Sequence, residues 1–468
     1  FFSSRRRHTR LLTVTGVQTC ALPICPTGRD WSVELRRHYV DCYGRSSWQR
    51  VLRTSCSARG SRPNCLTKAT DRVARMTTRA TRFLLLAGVI ALAVVLRPPV
   101  AAVGPLLPEI ANSLGLSGFQ QGLLMSIPVV CFGLGSFFAP ALVNSIGLES
   151  GIATLALMLL GGIVLRPQGG EAALFIGSVL IGTAIALGNT LLPALIKQDF
   201  ADNIGIMTGT YTTVMVSFAA LSASIAVPLA GSTGTDWQAS FRFWAVPALV
   251  AVAVWVPLAL KRHAPAAHRT MNRTHLWRSG PAWSLALFMG FQSISFYAML
   301  AWLPSLLRDS GVDAVTAGAL LGFASLVGIP MGLFLPPFLR RPEILPRLSV
   351  AVSLIGLLGT VGLAVSPING TVVWLVLLGI GQGTAFPLAL NLITLRAGSP
   401  TITTSLSALV QGVGYLMAAI GTYAMGAARA ITTDWHVAML LLVSFGIAQV
   451  FTAPAAARST QIQAATLV

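Results

Sequence analysis

Charge is what this chain has least of. Of its 468 residues only 10% are Asp, Glu, Lys or Arg, where a soluble domain carries about 25%. A water-facing surface of this size cannot be covered by so few charges, which excludes a soluble enzyme and an intrinsically disordered chain. Cysteine is nearly confined to one end: Cys20, Cys25, Cys42, Cys56 and Cys65 precede residue 66, and Cys131 is alone in the remainder. Those spacings contain no CxxC and fit no zinc pattern, which argues against a zinc module, and the apolar composition excludes a disulfide-rich secreted one. Histidines beyond residue 75 are His263, His268, His275 and His436, none in the middle of an apolar run. Neither an intramembrane Ser/His dyad nor a buried histidine metal site can be built from them. No GxxxxGK[ST] phosphate loop occurs.

What is present is apolar sequence, 54% of the chain, in runs of about 20 residues broken by short polar stretches. That length crosses a bilayer as a helix. Twelve such segments follow residue 75, at 83–105, 120–142, 151–166, 172–194, 205–230, 241–260, 281–304, 316–338, 348–366, 371–394, 403–426 and 436–455. The expected fold is an all-α membrane protein of twelve transmembrane helices, in a bilayer, with no cofactor and no nucleic-acid partner.

The net charge of +19 does not argue for nucleic acid, because its distribution is lopsided. Residues 1–75 hold 15 Lys/Arg and 4 Asp/Glu. Within them VTGVQTCALPI, Val14–Ile24, resembles the translation of a sequencing-library adapter, as does the preceding SSRRRHTRLLT. Met76 then opens MTTRATRFLLLAGVIALAVV, a short basic start leading into an apolar helix. Residues 1–75 are therefore expected to be an assembly scar plus translated upstream sequence and are set aside.

Lys/Arg counting sets orientation. With the start inside, Arg79, Arg82, Lys197, Lys261, Arg262, Arg269, Arg273, Arg278, Arg340, Arg341, Arg347, Arg396 and Arg458 fall on the inner side, against Arg166, Arg242, Arg308 and Arg429 outside. Both termini are then cytoplasmic. The domains expected are 76–260 and 281–455, joined by a basic linker at 261–280 and followed by a tail at 456–468. The linker reads as a topology-setting segment rather than a lipid or nucleic-acid patch.

The halves repeat. A shift of 196 residues carries Leu107-Pro108 onto Leu303-Pro304, Gly115 onto Gly311, Gly122 onto Gly318 and Pro140 onto Pro336. A shift of 198 carries Thr235-Asp236-Trp237 onto Thr433-Asp434-Trp435. Two like six-helix bundles repeated in parallel are the architecture of major-facilitator transporters, with the substrate path between the halves. Glycine-dense Gly379-Ile-Gly-Gln-Gly383 lies inside an apolar run, where small residues serve close helix packing rather than nucleotide binding.

Arg97 is the one charge deep within a span. It lies 14 residues beyond Phe83, about 21 Å into a core of about 30 Å. Pro98 and Pro99 follow it and free backbone carbonyls. An ionisable group at that depth marks a solute or ion path, or else a structural arginine bonded to the freed carbonyls. No Asp or Glu lies mid-span to neutralise it; Glu109 is near the outer end of the first helix, and Asp309 and Asp313 are in an outer loop. An uncompensated guanidinium favours an anionic or strongly dipolar ligand. Asn189, Tyr211, Gln292, Tyr297, Gln382, Gln411 and Tyr415 also lie within spans and can donate to a small solute or to a neighbouring helix. Gln292 stands out, because the 196-residue shift sets the adjacent Ser293 opposite Arg97.

These residues carry a resemblance. LRPPVAAVGPLLPEI (96–110), GNTLLPALIKQDFADNIGIMTGTYT (188–212), MGFQSISFYAMLAWLPSLLRDSGV (289–312), GQGTAFPLALNLITLR (381–396) and LVQGVGYLMAAIG (409–421) resemble the cyanate permease and 2-nitroimidazole transporter family of the major facilitator superfamily. The resemblance covers 76–455. It implies a monomeric secondary transporter of small solutes, including small anions, in a bacterial inner membrane, with Arg97 matching the arginine of the family's first-helix LRP motif. The loop VNSIGLES (143–150) departs from the superfamily's gating signature in lacking its basic residues. The alternatives are a membrane-bound sensor or enzyme, which needs a soluble domain, and a channel, which needs a charge ring or filter loop.

Overall fold

In hydrocarbon every backbone N–H and C=O must be satisfied within its own element, so apolar runs of this length fold as helices. The computed structural model describes residues 83–200, 203–231, 236–261, 276–397, 400–458 and 462. The leader, the centre of the basic linker and most of the C-terminal tail lie outside them. The chain divides into two units, Phe1–Leu85 and Leu86–Val468; the architecture that follows is that of the second.

Among the described residues twelve helices are long and apolar enough to cross a membrane, and the protein is an integral membrane protein. Helix α1 runs in three pieces, 83–96, Pro98–Ala101 and Val103–Leu114. Then come α2 (Gly118–Ile146), α3 (Leu148–Leu165), α4 (Glu171–Asp199), α5 (Ile204–Leu229) and α6 (Ala245–Lys261, preceded by the short helix Trp237–Phe243). The second half holds α7 (Gly280–Asp309), α8 (Ala314–Phe334), α9 (Leu345–Val365), α10 (Thr371–Arg396), α11 (Pro400–Thr432) and α12 (His436–Ala457). Among the described residues the only bridge of strand type joins Ala397 and Ile462.

The two six-helix halves are built alike down to single hydrogen bonds. The Trp237 indole N–H donates to Ser113 Oγ at 2.8 Å, and Trp435 donates to Asp309 Oδ2 at 2.9 Å. Ser113 and Asp309 are 196 residues apart, and the two tryptophans 198. Likewise Trp255 Nε1 donates to Gly88 O at 2.9 Å, tying α6 to α1, while Ser284, 196 residues beyond Gly88, donates to Ala455 O at 3.4 Å, tying α7 to α12.

Small residues set the tightest crossings. A Cβ on Gly381 would lie 2.5 Å from Gly356 Cα, and one on Gly379 2.6 Å from Ala324 O, so the 379–383 glycines bring α10 against α8 and α9. Large apolar side chains such as Val246, Leu440 and Phe451 are exposed, as lipid-facing residues are. The halves meet most extensively where α2 crosses α11 and α5 crosses α8, with α1 against α7.

Several helices outrun their sequence-based limits. The first span, expected to end near residue 105, continues to Leu114, because Pro105 and Pro108 are accommodated within the helix. VNSIGLES is scarcely a loop: α2 reaches Ile146, α3 starts at Leu148, and Gly147 turns between them at φ +85°. A positive φ of that kind suits glycine alone. Two arginines counted as loop charges are buried. Arg166, at the end of α3, is 2% exposed; Arg396, at the end of α10, is 3% exposed. Arg396 donates to Pro281 O, Ala455 O and Arg458 O, stapling α10 to the start of α7 and the end of α12.

Candidate functional site

The site begins at the break in α1. Prolines at 98 and 99 have no N–H to donate, so the helix cannot run through them unaltered. Arg97 becomes the first residue of a new turn, its carbonyl accepting from the N–H groups of Val100 and Ala101 at 3.1 Å each. Side chains from neighbouring helices hold the break. Ser222 Oγ of α5 donates to Pro98 O at 3.0 Å, and Arg166 Nη1 donates to Pro99 O at 2.6 Å.

The Arg97 side chain points across the seam between the halves. Its Nη1 donates to the Tyr297 hydroxyl of α7 at 3.1 Å, and its Cζ lies 5.6 Å from the centre of the Phe132 ring of α2. Phe132, Tyr297 and Tyr415 of α11 form a triangle of rings with centres 5.9, 5.7 and 6.1 Å apart. Tyr211 of α5 is within electrostatic reach of Arg97. The three triangle rings are buried, and Arg97 is half-buried. Among the described residues no carboxylate pairs with Arg97. Cation, aromatic walls and phenol hydroxyls together suit a small flat or linear solute carrying negative charge or a strong dipole.

Four of the eight residues singled out in the sequence thus come together: Arg97, Tyr211, Tyr297 and Tyr415. Gln292, buried on α7, donates to Ser293 Oγ at 2.7 Å and approaches Met289 Sδ at 3.7 Å, while its Oε1 has no partner among the described residues. Gln411 donates to Ser407 Oγ at 2.7 Å, one turn before Tyr415. Gln382 packs beside Gly356 of α9, and its Oε1 has no partner among the described residues. Asn189 follows Gly188, which abuts the Leu96 side chain, and its Nδ2 has no partner among the described residues.

Sequence reasoning missed Phe132, one of 21 phenylalanines with nothing in its neighbours to mark it. It also missed a closure beyond the site. Arg308 Nη2 of α7 meets Glu109 Oε1 of α1 at 2.7 Å, and Arg308 Nη1 donates to Pro105 O at 3.3 Å. On the same end of the bundle, a Cβ on Gly118 of α2 would meet Ala430 of α11 at 2.5 Å. Arg429 pairs with Asp309 at 3.0 Å and lies 5.4 Å from the Trp435 ring. The end bearing the α1–α2 and α7–α8 turns is therefore closed across the seam.

Comparison with known proteins agrees with this geometry. The model of the Major Facilitator Superfamily matches residues 83–422. The chain is 36% identical over 365 residues to the uncharacterized transporter YycB of Bacillus subtilis (strain 168), covering 77% of this chain and 90% of that one. It is 34% identical over 375 residues to the 2-nitroimidazole transporter of Escherichia coli (strain K12), covering 78% and 95%. With the cyanate transport protein CynX of the same organism the identity is 28% over 364 residues, covering 77% and 94%. Among solved structures, a D-xylose-proton symporter superposes with a TM-score of 0.67 at 13% identity, covering 81% of this chain and 99% of that one, a likeness of fold alone.

Proposed function

Because the chain belongs to the Major Facilitator Superfamily, a family of transporters, we propose that it carries a small anionic or strongly polar solute by alternating access, with Arg97 as the anchor. One observation carries this reading: a guanidinium with no carboxylate partner among the described residues reaches across the seam to a phenol of the opposite half. A solute bound there touches both halves at once, so its binding energy is available to the rocking of one half against the other. Tyr211 and Tyr415 supply further hydroxyls, and Phe132 a flat wall. Gln292, Asn189, Gln382 and Gln411 come to the solute in other stages of the cycle, their amide groups now held locally or unpartnered. That two relatives are named for 2-nitroimidazole and cyanate, both compact and polar, supports the same solute class.

The Lys/Arg asymmetry supports cytoplasmic termini, and the likeness to transporters of Bacillus subtilis and Escherichia coli supports a bacterial inner membrane. In that orientation the end closed by Glu109 and Arg308 faces outward. It works as a monomer, since each copy carries both halves of its path.

The test is counterflow in proteoliposomes containing the purified chain, with cyanate and 2-nitroimidazole as probes. A carrier shows saturable uptake that preloaded unlabelled solute stimulates. Arg97→Ala should abolish it and weaken solute binding by about 10- to 150-fold, the worth of one charge-assisted hydrogen bond. Unchanged binding by a folded Arg97→Ala protein would overturn the anchor assignment.

A further inference from the structure

Two buried donors meet the broken turn of α1 from outside it. Ser222 Oγ of α5 donates to Pro98 O, and Arg166 Nη1, from the end of α3, donates to Pro99 O. The Pro99 bond is the one hydrogen bond that the Arg166 guanidinium makes among the described residues, and the Phe241 ring centre lies 4.7 Å from its Cζ. Packing alone asks for no charge there. A buried guanidinium forgoes its hydration, which an apolar side chain in its place would not.

The internal repeat shows what these donors serve. In the second half α7 is one continuous helix, and 196 residues beyond Pro98 and Pro99 stand Ile294 and Ser295. Shifts of 196 to 198 residues carry Arg166 onto Gly362, Leu363 or Ala364, and Ser222 onto Ala418, Ala419 or Ile420. None of these has a side-chain donor. The donors are present in the half whose first helix is broken and absent from the half whose first helix is not. What they fix is the root of Arg97. Its φ is −107°, against about −63° in a regular helix, so the broken turn decides where its side chain leaves the backbone. That turn hangs on α3 and α5, while the guanidinium reaches Tyr297 in the other half. A solute drawn to the charge can displace Arg97 only by dragging a turn that two other helices hold. Binding groups keep their geometry when the residues behind them are locked in this way. We infer that Arg166 and Ser222 are positioning residues for Arg97, holding the broken turn so that its guanidinium stays at the seam. The inference rests on the reading of Arg97 as the solute anchor, and both residues act through Arg97 rather than on the solute.

The first measurement needs no solute. The full chain is produced with 3-fluorotyrosine at its six tyrosines, purified in detergent and followed by fluorine NMR. The Tyr297 signal is the one missing from Tyr297→Phe, and Arg97→Ala shows where it falls once the guanidinium is gone. Ser222→Ala and Arg166→Met should each move it part of the way to that position. Ser178→Ala removes another buried hydroxyl, one bonded to Leu174 O of its own helix at 2.7 Å, and should leave the signal in place. Calorimetric titration of cyanate should then show Kd raised about 3- to 10-fold by Ser222→Ala and by Arg166→Met, the worth of one ordinary hydrogen bond. Ser178→Ala should not change it. Ser222→Ala, which removes a single hydroxyl, carries the test if Arg166→Met does not fold. A Tyr297 signal at the parent position in either folded variant would overturn the inference. So would a signal that Ser178→Ala moves equally, one that Arg97→Ala leaves in place, or parent-like cyanate affinity in both variants where Arg97→Ala weakens it. If the signal moves as expected but Arg97→Ala binds cyanate like the parent, the anchor reading falls and the hold on the Arg97 side chain stands.

Discussion

Glu109 and Arg308 join the two halves of the bundle at 2.7 Å, Glu109 from α1 and Arg308 from α7. They lie 12 residues beyond Arg97 and 11 beyond Tyr297, roughly 17 Å along the two helices. The same pair of helices therefore carries two contacts across the seam, an ion pair at the closed end and a cation–phenol bond within the membrane. Opening that end requires the ion pair to part, whereas a solute at Arg97 competes only for the second contact.

The ion pair biases the halves toward this closure. Both side chains are partly solvated, so the pair is worth about 0.5–1 kcal/mol. Arg308→Gln should therefore shift the open-to-closed ratio about 2- to 5-fold toward opening. Distances between spin labels at Ser117 and Val315, on opposite halves near the closed end, read that shift. Exchanging the charges, Glu109→Arg with Arg308→Glu, should restore the original distribution. A distribution identical in all three proteins would show the pair to be idle.

Asp313 precedes α8 and caps it, Oδ1 accepting from the Thr316 N–H at 2.9 Å. Hydrogen bonds from Thr316 hold its carboxyl below the usual carboxylate range. A carboxyl whose pKa falls on folding contributes stability above its unfolded value, and that stability is lost as the pH drops through the folded value. Asp313→Ala should melt below the parent at pH 7, with the gap narrowing below a pH of about 4. Thermal unfolding of both proteins from pH 7 to pH 3 checks this; a gap that stays constant would contradict it.

The spans were legible because lipid leaves the backbone no alternative to helices, and about 20 apolar residues in a row admit one reading. The break at Arg97 was legible because two prolines follow a charge. Arg166 was not. An arginine ending an apolar run looks like a loop charge, and nothing local announces that Pro99 and Phe241 fold around it. Phe132 was invisible for a different reason: its role comes from ring contacts with two residues more than 160 positions away. The glutamines illustrate the converse, since Gln292 and Gln411 donate their amide N–H groups to serines within their own helices.

Gly381 and Gly161 make a matched test of the glycine seam. A side chain at Gly381 would strike Gly356 backbone atoms at 2.5 and 2.6 Å, whereas at Gly161 nothing lies within 4 Å. Gly381→Val must therefore push α9 and α10 apart, at about 1–3 kcal/mol for overpacking. Gly161→Ala should hold or slightly raise stability through helix propensity, by up to about 1 kcal/mol. Melting temperatures of the purified variants in one detergent separate the two, and equal losses at both positions would contradict the seam.

The last prediction divides the work of Arg97 between charge and geometry. Arg97→Lys keeps the positive charge but loses the planar fork, so it should retain part of the solute affinity that Arg97→Ala loses. Tyr297→Phe leaves the charge and the ring triangle and removes the hydroxyl that accepts from Arg97 Nη1. If that bond only parks the side chain when no solute is bound, its loss frees the guanidinium, and solute affinity holds or rises. If the hydroxyl instead positions the guanidinium for the solute, affinity falls about 3- to 10-fold, the worth of one ordinary hydrogen bond. The geometry favours positioning, because Tyr297 is packed by Phe132, Phe296 and Tyr415 and is not free to follow the solute. Calorimetric titration of the solute into the folded variants should give the order parent, Tyr297→Phe, Arg97→Lys, Arg97→Ala from tightest to weakest. Tyr297→Phe binding as tightly as the parent would reduce the hydroxyl to a resting contact and leave the charge alone as the anchor.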